Sequence, residues 1–266
     1  LDSGLSVRSP IASIIAAAAV GIGLVVLMRA LSGPGGAPPA PCEEEAACPG
    51  ADVDEVLTTE AQAMAPPPGP TVAAAEVCLE AGYLCDGLRQ RGDMRVVRWD
   101  EGVSEIEIRV PRPTHVPTEE ARALQAAAVQ GILAWQNNPF PLRVTRRDRP
   151  GSEDFVVSWS RQLTGSELGR TRTQWARRGD EVSMRVVEFV LVTHSPWDAG
   201  TALDPRQVRL TAAHEMGHAL GLPHSSTERD IMYPTNTSAR LTTADYLTMN
   251  ALYGLENGAE ITPDDL

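Results

Sequence analysis

The chain contains no lysine: all 23 of its basic residues are arginine, set against 35 acids for a formal charge of −12. A Walker-type phosphate loop, a Schiff-base enzyme and a Ser-Lys hydrolase each need a lysine amine, so these three classes are excluded. The acidic balance also argues against nucleic acid as a partner. One local exception, Arg143 to Arg178, holds nine arginines against four acids, a composition expected of a solvated face rather than a binding site. Cysteine is confined to Cys42, Cys48, Cys78 and Cys85. An even count in an exported chain suggests two disulfides, with three pairings possible, and the spacing is unlike the tight pairs that hold structural zinc.

Residues 29 to 75 lack the material of a core, being dominated by Pro, Gly, Ala and acid, whereas all five tryptophans fall between 95 and 257. About 160 residues suffice for one hydrophobic core. The expected organisation is an N-terminal flank (1–10), an apolar segment (11–28), a Pro/Ala/acid-rich linker (29–75), a cysteine-bearing segment (76–94), a folded domain (95–257) and an acidic tail (258–266). The segment IASIIAAAAVGIGLVVLM is an uncharged run of 18 residues, which as a helix spans about 27 Å, close to the thickness of a bilayer's hydrocarbon. Two readings stand: a membrane anchor with the rest of the chain outside the cytoplasm, or a cleaved signal with small residues at Ala30-Leu31-Ser32 that releases a secreted domain.

Within the domain, Val103 to Val110 alternates apolar and polar with period two, as a half-buried strand does. Thr118 precedes a segment with helical apolar spacing and acids in its first turn, where the helix dipole favours them. FVVSW (155–159) and RVVEFVLV (185–192) read as strands. LGRTRTQW (168–175), rich in Arg and Thr, reads as an exposed edge strand, and a last helix is expected over 242–252.

Three of the five histidines are crowded into HEMGHALGLPH, residues 214 to 224. Asp204 and Pro205 are an N-cap and first-turn pair that opens a helix through this stretch. Four residues advance a helix by slightly more than one turn, so His214 and His218 project from one face and can share an ion. Glu215 is poorly placed as a further ligand but well placed to take a proton from water. Gly221 ends the helix in a left-handed conformation that costs glycine nothing, Pro223 discourages continuation, and His224 returns as a third ligand. Three neutral imidazoles leave one exchangeable position, the arrangement of catalytic rather than structural zinc.

HEMGHALGLPH resembles the H-E-x-x-H-x-x-G-x-x-H signature of metzincin metalloproteases, and Met232 in IMYP resembles their Met-turn. The wider wording is most similar to the matrixin branch, over residues 95 to 255. The resemblance implies an α+β, zincin-like domain: a twisted mixed sheet of about five strands, a long backing helix, an active-site helix and a C-terminal helix. It implies a zinc endopeptidase with one catalytic Zn2+ on His214, His218 and His224, Glu215 as general base, Met232 beneath the site, and Tyr233 and Pro234 by the substrate pocket. The edge strand at 168–175 would pair with an extended peptide substrate. No PRCGxPD-type segment precedes the domain, so a cysteine switch does not carry over. The histidines of the family's structural zinc site are also missing, with Glu188 where a strand would supply one, and calcium stays open.

Other readings stand beside this one. His115 and His194 are read as ordinary polar histidines, and Trp99, Trp135, Trp159 and Trp197 as packing residues. Tyr233 could pack under the Met-turn or offer its hydroxyl to substrate. A monomer is expected. The alternative function is a zinc-stabilised module that binds peptides without turnover.

Overall fold

The computed structural model describes residues 70–137, 142–178, 181–235 and 237–262. The chain divides into two units, Leu1–Thr59 and Glu60–Leu266, and all described residues belong to the second. The apolar segment 11–28, Cys42 and Cys48 lie outside the described residues. Among the described residues no helix is long and apolar enough to cross a membrane.

In chain order the elements are β1 (Thr71–Ala73), α1 (Ala74–Val77), α2 (Leu84–Arg91), β2 (Glu105–Arg109), α3 (Thr118–Ile132), β3 (Arg143–Arg147), β4 (Phe155–Val156), β5 (Ser158–Ser160), β6 (Gly169–Arg178), β7 (Glu181–Val192), α4 (Pro205–Ala219), α5 (Thr243–Gly254) and β8 (Glu260–Thr262). β4 and β5 are one stretch of chain parted at Val157, whose N–H still donates to Arg109 O at 2.9 Å. Through that stretch the orders β3-β2-β4 and β5-β7-β6 join into the five-stranded mixed sheet expected. Among the described strands the pairings are parallel except that of β6 with β7, and the strand order leaves β6 at the edge.

β2 carries the period-two pattern, with Ile106 and Ile108 buried and its three charged residues half-exposed. β3 was not expected, because RVTRR buries only Val144 and reads as a basic loop. Its pairing with β2 sets Arg143 beside Glu105 at 3.2 Å, and Arg147 likewise pairs with Glu107. The arginines there form an outward, acid-paired face.

α3 turns Ala121, Leu124, Ala127, Ala128, Gly131 and Ile132 inward, a stripe of mostly small residues that lets α4 lie close against it. Two buried tryptophans then fix α4 along its length. Trp135 Nε1 donates to Ala213 O at 2.7 Å, and Trp99 Nε1 to Ala219 O at 2.8 Å.

Packed structure extends on both sides of residues 95–257. Thr71–Ala73 lies inside the fold, paired in parallel with Glu260–Thr262, and Ala259 and Ile261 are fully buried rather than part of a tail. Neither stretch looks core-like alone: each buries its backbone polar groups by pairing with the other from the far end of the chain. The cysteine-bearing segment is helical and packed, with Leu84 and Leu88 buried and a disulfide joining Cys78 to Cys85.

Trp135 is wholly buried, so Trp135→Ala removes both its packing and its bond to α4. The expected loss is about 3–5 kcal/mol, read as a lower urea midpoint at unchanged m-value. A loss under 1 kcal/mol would show that α3 and α4 associate without this contact.

Candidate functional site

The site is built on where α4 begins and stops. Asp204 caps its start, accepting from Arg206 N at 2.7 Å, with Pro205 in the first turn. At its end Gly221 adopts φ +97°, Gly221 N donates to His218 O at 2.9 Å, and Leu222 N to Gly217 O at 3.0 Å. This paired closure satisfies the last carbonyls and reverses the chain. A Cβ at Gly221 would lie 2.6 Å from Val97 O. The reversal brings His224 back over the helix face that carries His214 and His218.

The three imidazoles converge, with centroids 4.8, 5.2 and 4.7 Å apart and one ligand atom from each within 4.8 Å of the others. His218 and His224 face each other Nε2 to Nε2 at 3.1 Å. An ion about 2.0–2.1 Å from each nitrogen of a tetrahedral site sets ligand nitrogens roughly 3.3 Å apart. His214 Nδ1 lies 2.8 Å from Ile231 O and His218 Nδ1 3.0 Å from Leu222 O. A carbonyl only accepts, so both Nδ1 atoms are the protonated ones and both Nε2 lone pairs are free for a metal. The donor set therefore fits zinc.

Burial governs the charges. It holds the His214 imidazole down to about 4 and His218 to about 3, and lowers His224 as well. The same desolvation pushes the Glu215 carboxyl up to about 7, against hydrogen bonding with Thr171 that pulls it down. Thr171 Oγ1, from edge strand β6, donates to Glu215 O at 3.0 Å.

Met232 lies under the helix and is wholly buried. A Cβ at Gly217 would lie 2.1 Å from its sulfur and 3.0 Å from the Trp135 ring, so the glycine between the two histidines is what admits the methionine. Two cavities, of about 650 and 490 Å³, share His218 and His224. The smaller is lined by Leu168, Glu215, Trp197 and Pro234; Tyr233 is half-buried and does not line it. The larger is lined by Thr171, Thr173 and Trp175 of β6 and by Gly87 and Arg91 of α2.

Trp197 departs from expectation: it is 75% exposed at the rim of the cleft rather than packed. The loop that carries it has no periodicity from which exposure could be read. His115 and His194 lie away from the three-histidine group, on either side of the buried Thr193 hydroxyl at 2.7 and 2.8 Å. Glu188 faces Arg172 at 3.8 Å. Sequence reasoning missed Asp230, which accepts from Ser225 Oγ at 2.6 Å, and the support role of Asp245, whose Oδ2 accepts from Ile231 N at 3.4 Å. Both act through the fold, and only the cap position of Thr242 hinted at Asp245.

Residues 117–254 match a family model described as Matrixin. Over 47 residues the chain is 51% identical to "Metalloendoproteinase 2-MMP" of Arabidopsis thaliana, a match covering 16% of this chain and 12% of that protein.

The pH behaviour of the metal-free protein follows from the depressed imidazoles. Their contribution to stability is complete above the ordinary value of about 6.5 and is lost as pH falls toward about 4 and about 3, since the unfolded chain takes up protons first. Glu215, raised to about 7, offsets part of this loss because the folded state takes up its proton first. Two imidazoles outweigh one carboxyl, so the thermal midpoint is expected to drop between pH 7 and pH 5, while NMR titration finds His214 and His218 neutral at pH 5. Titration of either near 6.5 would contradict the assignment.

Proposed function

Because the chain belongs to the matrixin family of zinc metalloendopeptidases, we propose that it cleaves peptide bonds of extracytoplasmic proteins, with His214, His218 and His224 as zinc ligands and Glu215 as general base. The observation that carries this reading is the convergence of three buried-to-rim imidazoles, two with their lone pairs freed by backbone carbonyls, beside a buried carboxyl. Zinc, when bound, supplies a Lewis acid that lowers the pKa of water to about 7 and polarises a carbonyl.

The chain's own groups do the rest. Glu215 takes a proton from the attacking water and passes it to the amide nitrogen as the C–N bond breaks, which returns the carboxylate to its starting state. A carboxyl raised by burial is a stronger base than one in water, so its environment suits the first transfer. The outer edge of β6, which no other described strand pairs, offers N–H and C=O groups to an extended peptide, which adds as a strand. Thr171, Thr173 and Trp175 alternate along it toward the larger cavity, and Pro234 closes the smaller one, where the side chain after the cut would lie. Met232 is the floor on which the ligand helix rests.

The apolar run at 11–28, read as an anchor or as a cleaved signal, supports a location outside the cytoplasm. A peptide-binding module without turnover would have no use for Glu215 in this position. The matched stretch spans only 12% of the Arabidopsis relative, so the substrate assignment rests on the site's own chemistry.

Glu215→Gln separates base from ligand. The variant is expected to bind one zinc per chain while cleavage of an unstructured protein substrate falls about 10²–10⁴-fold, measured by metal analysis and single-turnover assay. Cleavage at the wild-type rate would remove Glu215 from the mechanism, and a zinc-loaded wild type that cuts nothing would favour the binding module.

A further inference from the structure

The stretch Cys78–Arg91 precedes the region matched by the family at residue 117, yet it reaches the ligand set by two separate routes. The first runs through Tyr83. Its hydroxyl donates to Asp245 Oδ1 at 2.7 Å, across 162 positions of sequence. Asp245 is fully buried, and its other oxygen accepts from Thr242 N at 2.8 Å and Ile231 N at 3.4 Å. Ile231 O is the acceptor that fixes the His214 imidazole at 2.8 Å. Tyr83 N also donates to Thr248 Oγ1 at 2.9 Å, which seats the loop on α5.

The second route is steric. α2 is anchored in the core by Leu84 and Leu88, and its Gly87 meets the chain that returns from α4. A Cβ there would lie 2.6 Å from the Pro223 ring and 2.7 Å from His224 O. Neither a proline ring nor a backbone carbonyl yields cheaply, so even alanine must displace α2 or the third ligand. The Cys78–Cys85 bridge encloses Tyr83 and closes directly onto α2, so both routes start from one stapled element.

We propose that this stapled segment braces the zinc ligands, with Tyr83 as a positioning residue for His214 and Gly87 as a positioning residue for His224; the proposal rests on the zinc role assigned above. Removing the Tyr83 hydroxyl leaves a buried carboxylate oxygen without its donor, and Asp245 then shifts or takes up a proton. Either response loosens the Ile231 peptide against which His214 is oriented. Groups that orient ligand imidazoles typically alter metal affinity by about 10–100-fold when removed.

The test compares the full chain with Tyr83→Phe, Gly87→Ala and a Cys78→Ser/Cys85→Ser double variant. Leu79→Ala, at a residue 89% exposed in the same loop, serves as one reference. Ile106→Val, in the buried face of β2, serves as a second that lowers stability away from the site. The readouts are the rate of zinc loss to a chromophoric chelator and the thermal midpoint of each metal-free protein. Tyr83→Phe and Gly87→Ala are expected to lose zinc about tenfold faster than wild type, the double variant at least as fast, and both references at the wild-type rate. If Gly87→Ala or the double variant does not fold, the near-isosteric Tyr83→Phe decides. Zinc loss within twofold of wild type in Tyr83→Phe, or equal acceleration in Ile106→Val, overturns the proposal. A wild type that holds zinc but cuts no peptide sinks the endopeptidase reading and leaves the brace standing on its own rates. A wild type that holds no zinc sinks both.

Discussion

The reversal at Gly221 is the constraint on which the remainder of the site depends. Two of the proposed ligands, His214 and His218, come from one helix face at no special cost, because four residues return the chain to nearly the same azimuth. The third has to come from chain that has left the helix, and the distance from His218 to His224 is too short for a wandering loop. Leu222 N bonded to Gly217 O, with Gly221 in the left-handed region, turns the chain within two residues. The space beside Gly221 is taken by Val97 O, so the reversal is locked to the segment before β2 as well as to the helix. Trp99 Nε1 holds Ala219 O from that same segment.

The helix itself is held by what lies around it. α3 presents alanines and a glycine, and two buried indoles spend their only donors on α4 carbonyls. Bonds to carbonyls inside a helix add little to the helix as such, whose ladder is already formed. What they fix is its translation along the core, and a ligand set needs that placement held to a fraction of an ångström. Beneath, Met232 fills a hollow that exists because residue 217 has no side chain. The eight-residue loop of the Cys78–Cys85 bridge adds about 2.5 kcal/mol in the chain-entropy picture, modest for the whole domain but concentrated next to the ligands.

What could be read from the sequence was what is local. His214, Glu215, His218 and Gly221 sit within eight positions, and the cap at Asp204 with Pro205 set the helix start where it is found. β7 declared itself through its apolar richness, interrupted only by Glu188 between Val186 and Val192, and β6 through the threonines and arginines of an exposed edge. The misses are long-range. Tyr83 and Asp245 are 162 positions apart, and nothing in the wording around either announces a bond. β1 and β8 are three-residue strands from opposite ends of the domain, each too short and too mixed to stand out, and β3 hid its strand pattern behind three arginines. Trp197 was misjudged because bulk apolarity argues for burial, whereas its place on the cleft rim is decided by the path of the loop before α4.

A single variable, access to water, sets the chemistry of the assembled site. Desolvation penalises whichever form is charged, so it drives imidazoles toward neutrality and a carboxyl toward protonation in the same stroke. Neutral imidazoles are the form that binds metal, and a carboxyl near neutrality is the form that both takes and returns a proton at working pH. The two requirements would conflict if each needed its own surroundings, but here one dry helix face meets both. Exposure then rises across the three histidines, from buried His214 through half-buried His218 to exposed His224. Glu215, itself buried, lines the smaller cavity that His218 and His224 also reach. On the proposed reading, a peptide laid along β6 would pass the cavity where His224 and Glu215 both stand. The reversal at Gly221 is what returns His224 to that cavity.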